Sequence, residues 1–312
     1  MATATAGKSS SDNAVRLAIA LGVVIIVATA WLVVIARRAT TTGHNRLEIV
    51  AGENFWGNIA AQIGGAKVNV TSIITDPNAD PHLYESDARD ASAVATAGIV
   101  IENGLGYDDF MAKLLAAAPN PKRTVLSAQN ILHVTGSDPN PHLWYDTSRV
   151  PTVAAAIEEA LAAKDPADAA YFRANLNRFD QSLTPILSVI RQIKTRYPGA
   201  PVAYTERVPG YLLAAAGLSV KTPPGFAAAI EDGTDPSPAD TLTFDSLITA
   251  HRIKVLLYNA QTTSAATQSI LNLARANGIP VVPVTETLPK DDPTYQDWQL
   301  GQAQALLSAL RN

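Results

Sequence analysis

The sequence predicts an α/β protein of two lobes, each built on a mostly parallel sheet, joined by one long helix and preceded by an N-terminal transmembrane segment. Three observations carry this expectation. Short apolar runs alternate with helical periodicity from Leu47 to about residue 127, a helical stretch runs from Ser148 to Tyr197, and a second alternation fills the rest of the 312-residue chain. Strands that alternate with helices imply βαβ units and hence parallel pairing.

In the first lobe, LEIVAG reads as a strand and ENFWGNIAAQIGG as a helix closed by glycines. VNVTSII, GIVIENG and RTVLS read as further strands, with helices over DARDASAVATA and DDFMAKLLAAA. SRVPTVAAAIEEALAAKD is a helix. The stretch from Asp165 to Tyr197 has Asp165 as its expected N-cap and Pro166 in the first turn. Its 33 residues would reach roughly 50 Å as one helix, with a kink expected at Pro185. In the second lobe, PVAYTE, LSVKT, IKVLLYNA and IPVVPVTE are the strands. VPGYLLAAAG, SPADTLTFDSLITAH, SAATQSILNLARANG and YQDWQLGQAQALLSALRN are the helices, and Ser237 with Asp240 has the pattern of a capping box. The expected boundaries are 1–46 for the tail, apolar segment and linker, 47–164 for the first lobe, 165–197 for the linking helix and 198–312 for the second lobe.

Leu17 to Ala36 is a run of 20 residues without a charge. A helix of that length spans roughly 30 Å, one bilayer core. The ATA at Ala28–Ala30 resembles a signal-peptidase site. The apolar run continues past it, so an uncleaved anchor is expected, with secretion after cleavage as the alternative. Lys8 and Arg16 before the run, and Arg37, Arg38 and Arg46 after it, slightly favour the C-terminal side staying inside, against the extracytoplasmic placement argued below.

Composition narrows the function. The net charge of −4 and the absence of a basic stripe argue against nucleic acid as a partner. With no cysteine, disulfides, thiolate metal sites, cysteine nucleophiles and a lipid-modified N-terminal cysteine are all excluded. No HExxH helix, serine nucleophile elbow or Walker A loop is present, so the chain is not a transporter ATPase, and no catalytic residue is assigned.

One phrase occurs twice. NADPHLYESD places His82 behind Pro81, and DPNPHLWYD places His142 behind Pro141, sixty residues later. A proline fixes its own φ and biases the residue before it toward extended backbone, so each imidazole sits at a stiff corner. In open parallel sheets, ligands lie beyond the C-terminal strand ends. His82 and His142 meet that description in the first lobe. Glu206, ending PVAYTE, and Glu286, ending IPVVPVTE, meet it in the second. Each acid alone reads more readily as a solvated strand-end residue. Together, two imidazoles and two carboxylates make a plausible site for a divalent cation, because two negative charges balance the metal.

NFWGNIAAQIGG, DPHLYE, IENGLGYDDFMAKLL, NPHLWYD, YTERVPGYL, DPSPAD and PVTETL together resemble the metal-binding solute receptors of ABC importers, the manganese/zinc receptor family called cluster A-I. The resemblance covers about residues 47 to 310. It implies two α/β lobes joined by one long rigid helix, and metal ligands at His82, His142, Glu206 (five residues before Tyr211) and Glu286, where an aspartate is more usual. Three features depart from the family. No histidine-rich loop precedes the second Pro-His motif, with only His133 nearby. Asn259 stands where a glutamate is frequent, and no role is assigned to it. No cysteine is available for lipid, so an anchor helix would replace it. His44, His133 and His251 receive no role, and Trp56, Trp144 and Trp298 read as packing residues.

The expected function is an extracytoplasmic, membrane-anchored, monomeric receptor that captures a divalent transition metal between its lobes and passes it to an ABC permease. The alternatives are a metal-dependent hydrolase, and an adhesin or metal sensor with no transport partner. Glu206 in place of a histidine suits Mn²⁺ as the physiological cargo, since carboxylates can chelate, while Zn²⁺ binds tighter in vitro and Fe²⁺ stands next.

Overall fold

The computed structural model describes residues 46–76 and 84–311. The anchor expected at Leu17–Ala36, His44 and the first Pro-His loop with His82 lie outside those residues. Among the described residues, no helix is long and apolar enough to cross a membrane.

Two four-stranded sheets form the frame. The first has the order β2-β1-β3-β4 and comprises β1 (Leu47–Glu53), β2 (Val68–Ile74), β3 (Ile99–Glu102) and β4 (Thr124–Ser127). The second repeats that order as β6-β5-β7-β8, with β5 (Pro201–Tyr204), β6 (Ser219–Val220), β7 (Val255–Asn259) and β8 (Val281–Val284). Every pairing is parallel, as the alternation predicts. Parallel strands need crossovers, and the helices that supply them cover the sheet faces. In each sheet the chain leaves the first strand on one side and returns on the other. The crevice at that switch point, between β1 and β3 and between β5 and β7, opens at the carboxyl ends of the strands.

The helix α1 (Asn54–Gly64) follows β1 directly and buries Phe55, Trp56, Ile59 and Ile63. These residues belong to one apolar core that also takes in Trp144, Phe179, Ile190, Val282, Tyr295 and Trp298, so the two lobes share packed interior. Phe55 stacks on Trp144 with ring centroids 4.1 Å apart. Trp56, Trp144 and Trp298 are all buried there, as packing residues. A smaller cluster around Phe226, Phe244 and Ile270 lies on the other face of the second sheet, and one around Val50, Val100 and Met111 on the other face of the first.

The linking segment departs from the single helix expected over 165–197. Asp165 makes no side-chain cap, and a 3-10 turn, Pro166–Asp168, precedes the first helix. Two helices then follow, Ala169–Ser182 and Thr184–Arg196, with Leu183 between them still near helical geometry at φ −78° and ψ −14°. The cause is Pro185, which has no N–H for the carbonyl one turn back and whose ring crowds it. The Ser237 cap also differs from the pattern read in the sequence. Its Oγ accepts from the Asp240 N–H at 3.1 Å, but Asp240 returns its carboxylate to that hydroxyl at 2.7 Å rather than to the Ser237 backbone. A helix over Pro224–Glu231 and a short turn of helix at Ala128–Ile131 were not expected. Both are short, and neither carries enough apolar period to be read in advance.

Candidate metal site

Three of the four sequence-predicted residues are described, and all three are buried: His142 at 0% exposure, Glu206 at 3% and Glu286 at 1%. His82, the fourth, lies outside the described residues. Burial of two acids and an imidazole at strand ends is informative, because such groups are costly to desolvate without partners.

His142 follows Pro141 and precedes a 3-10 turn, Leu143–Tyr145. Its Nδ1 lies 2.6 Å from Asn140 Oδ1. The Asn140 amide is oriented by its own Nδ2, which donates to the Arg207 carbonyl at 2.9 Å. Oδ1 is therefore the acceptor, and Nδ1 carries the proton. That tautomer leaves Nε2 with its lone pair, as metal ligation requires. Nε2 lies 3.9 Å from Glu286 Oε2. The separation is too long for a hydrogen bond, and is one that an ion about 2.0–2.2 Å from each atom would span. Trp144 and Tyr107 wall the imidazole edge-on, with centroids 5.3 and 5.8 Å away.

A turn at the end of β3 fixes the inner wall of the site. Gly104, Leu105 and Gly106 all have positive φ, at 82°, 61° and 77°. For Leu105 that conformation costs about 1–2 kcal/mol. Asp108 offsets the cost by accepting from the Asn103 and Gly104 N–H groups at 2.6 and 2.8 Å, and Gln129 accepts from the Leu105 N–H at 2.9 Å. The turn then aims two side chains. Asn103 donates to the Pro141 carbonyl, next to His142, at 2.8 Å, and Tyr107 donates to Glu286 Oε2 at 3.0 Å.

Glu206 lies two residues beyond β5. The next residue, Arg207, is held by Glu231, which accepts from its N–H and its Nε at 2.7 Å each, and by Asp138 at 2.9 Å. Glu286 lies two residues beyond β8, where Gln261 Oε1 accepts from the backbone N–H groups of Glu286 and Thr287. Asn259, the last residue of β7, joins the acids. Its Nδ2 donates to Glu206 Oε2 at 2.5 Å and to Glu286 Oε1 at 2.7 Å. The Thr262 hydroxyl adds a bond to Glu286 Oε1 at 3.2 Å.

The structure therefore brings His142, Glu206 and Glu286 together as the strand-end argument expects. Among the described residues, no group of three or more His, Asp or Glu side chains is arranged to hold an ion by itself. Sequence reasoning missed Asn103, Tyr107, Asn140 and Asn259. Asn259 was open to discovery, since it ends its strand as Glu206 and Glu286 follow theirs. His133 and His251 are exposed, at left-handed turns, and take no part.

Two sheets of one strand order, sharing a core and presenting buried ligand-type side chains at their strand ends, define a two-lobed α/β binding protein. Comparison with known proteins narrows the class. The profile of the zinc-uptake complex component A, periplasmic, matches residues 49–309. The chain belongs to that family. Curated relatives include the manganese-binding lipoprotein MntA of Halalkalibacterium halodurans, 27% identical over 161 residues covering 51% of this chain and 53% of the relative. The manganese ABC transporter substrate-binding lipoprotein PsaA of Streptococcus pneumoniae serotype 4 is 25% identical over 179 residues, 54% of this chain and 56% of the relative. The chain thus spans about half the length of these curated relatives. The periplasmic zinc-binding protein TroA from Treponema pallidum shares the fold, with a TM-score of 0.73 and 17% identity, over 85% of this chain and 99% of that one.

Proposed function

We propose that this chain is the extracytoplasmic receptor of an ABC importer, binding a divalent transition metal, Mn²⁺ or Zn²⁺, with His82, His142, Glu206 and Glu286 as its ligands. The observation that carries the reading is the buried convergence of His142, Glu206 and Glu286 from both lobes, with His142 turned by Asn140 into its ligating tautomer. Family membership and the manganese- and zinc-binding names of the relatives support the same cargo class. A receptor needs only capture and release. All four side chains can fill the coordination sphere, whereas a catalytic metal keeps an open position. Neither the family match nor the names of the relatives support the hydrolase reading. The division into lobes 47–164 and 198–312, with 165–197 between, belongs to this reading, as does attachment to the membrane through Leu17–Ala36 and delivery to a permease.

Elemental analysis and calorimetry of residues 46–312 test the cargo. The expected result is one Mn²⁺ or Zn²⁺ per chain, lost in His82→Ala and His142→Ala variants that keep the fold. Wild-type affinity in both variants would place the metal elsewhere. Fractionation of cells making the full chain tests the anchor: recovery of a soluble form starting near Trp31 would establish cleavage instead.

A further inference from the structure

Asn259 is 1% exposed at the end of β7, between the two acids. Its amide orientation is set from behind, because Oδ1 accepts from the Gln261 N–H at 3.1 Å. The NH₂ therefore faces Glu206 and Glu286. A primary amide has two N–H donors, and at 2.5 and 2.7 Å both are committed, one to Glu206 Oε2 and one to Glu286 Oε1. Thr262, 3.1 Å from the same nitrogen, turns its hydroxyl proton to Glu286 Oε1. One nitrogen thus ties together carboxylates that come from strands β5 and β8 on either side of β7.

The tie matters for cargo, and the argument rests on the receptor reading above. A carboxylate chelates an ion only when both its oxygens turn toward it. An N–H bond to one oxygen stops the rotation and draws electron density from that oxygen. Zn²⁺ is satisfied by four ligands in a tetrahedron, whereas oxygen-loving ions of higher coordination number use chelating carboxylates to raise the ligand count. We propose that Asn259 is the specificity-determining residue of the site: by tying Oε2 of Glu206 to the amide that also holds Glu286, whose carboxylate Tyr107 and Thr262 restrain as well, it makes Glu206 a one-oxygen ligand and favours zinc-type over manganese-type coordination. A glutamate at position 206 read from sequence alone points to manganese, because the amide that restrains it is 53 residues away.

The test compares wild type, Asn259→Ala and Asn259→Ser by competition titration with Zn²⁺ and Mn²⁺. Ala removes both donors. Ser keeps one hydroxyl and keeps the experiment decisive if Ala does not fold. The preference for Zn²⁺ over Mn²⁺ is expected to fall about tenfold or more in Ala, and by less in Ser, the scale of one hydrogen bond to a charged group. X-ray absorption of the Mn²⁺-loaded variant is expected to show more oxygen neighbours than wild type. A Zn/Mn affinity ratio unchanged within about twofold, however far both affinities fall, is what a purely structural amide would give and overturns the proposal. If wild type binds neither ion, the receptor reading falls and takes this one with it; a wild type that binds metal while the ratio stays fixed overturns the role of Asn259 alone.

Discussion

Each lobe holds a pair of buried acids near the carboxyl ends of its strands, and the two pairs are held by different means. In the first lobe, Glu53 ends β1 at 0% exposure and faces Asp108, 4% exposed. Among the described residues, no donor of another residue makes a hydrogen bond to either Glu53 oxygen, and the backbone N–H of Glu53 itself lies beside the carboxyl. Burial, and then the neighbouring Asp108 charge, push the Glu53 carboxyl well above its usual range, and burial also raises Asp108. Asp108 accepts from the Asn103 and Gly104 backbone N–H groups, which pull against its rise, so Glu53 is the acid of the pair pushed further toward its neutral form. In the second lobe, Glu206 and Glu286 receive the Asn259 amide, and Glu286 also receives the Tyr107 and Thr262 hydroxyls. Burial and backbone N–H groups thus hold the first pair, whereas side-chain donors from Asn259, Tyr107 and Thr262 hold the second, the pair proposed to take the cation.

The largest effect that separates the pairs is on metal affinity. Glu206→Ala and Glu286→Ala each remove a proposed ligand and should weaken Zn²⁺ or Mn²⁺ binding by about a hundredfold or more, beyond the 10–100-fold typical of residues that only support ligands. Glu53→Gln should change it by less than about threefold, or under 1 kcal/mol. Competition titration against a chelator of known affinity reads both. Equal losses in all three variants would dissolve the distinction between the pairs.

A smaller effect should come from Tyr107, which touches the second pair from the turn that Asp108 holds. Tyr107→Phe keeps the ring against His142 and Trp144 and removes only the hydroxyl on Glu286. Metal affinity should fall by about tenfold, the scale of losing a supporting hydrogen bond to a ligand. Unchanged affinity would mean that Glu286 is oriented by Asn259 and Thr262 alone.

The comparison also marks what a sequence can disclose. The two sheets were legible because most of their strands are short apolar or alternating runs and their crossover helices have a period of 3.6, and both leave a pattern. Glu206 and Glu286 were legible as candidates because each follows a strand end, and His142 because the Pro-His phrase is repeated. The partners that make them a site were not. Tyr107 meets Glu286 across 179 residues and Asn259 meets Glu206 across 53, so no local spacing announces either pair. Glu53 was hidden for another reason: a single acid after an apolar strand looks solvated, and only the packing of Asp108 against it shows otherwise. The break at Leu183 was half legible, since Pro185 announces an interruption without fixing the residue at which it falls.

The smallest predicted effect concerns the first pair and stability alone. A carboxyl whose folded pKa lies above its ordinary 4.5 takes up its proton more readily folded than unfolded. The stabilisation is therefore complete below about pH 4.5 and is lost as pH rises through the raised folded value. With metal removed by chelator, the melting temperature of the wild type should lose this contribution on the alkaline side. Glu53→Gln replaces the proton by a permanent N–H donor facing Asp108 and carries no charge to desolvate. Its melting temperature should exceed that of the wild type by a few degrees on the alkaline side, with the gap narrowing toward acid, since ~1 kcal/mol shifts a chain of this size by about 2–4 °C. Parallel wild-type and variant curves across that range would show that Glu53 is not held toward its neutral form beside Asp108.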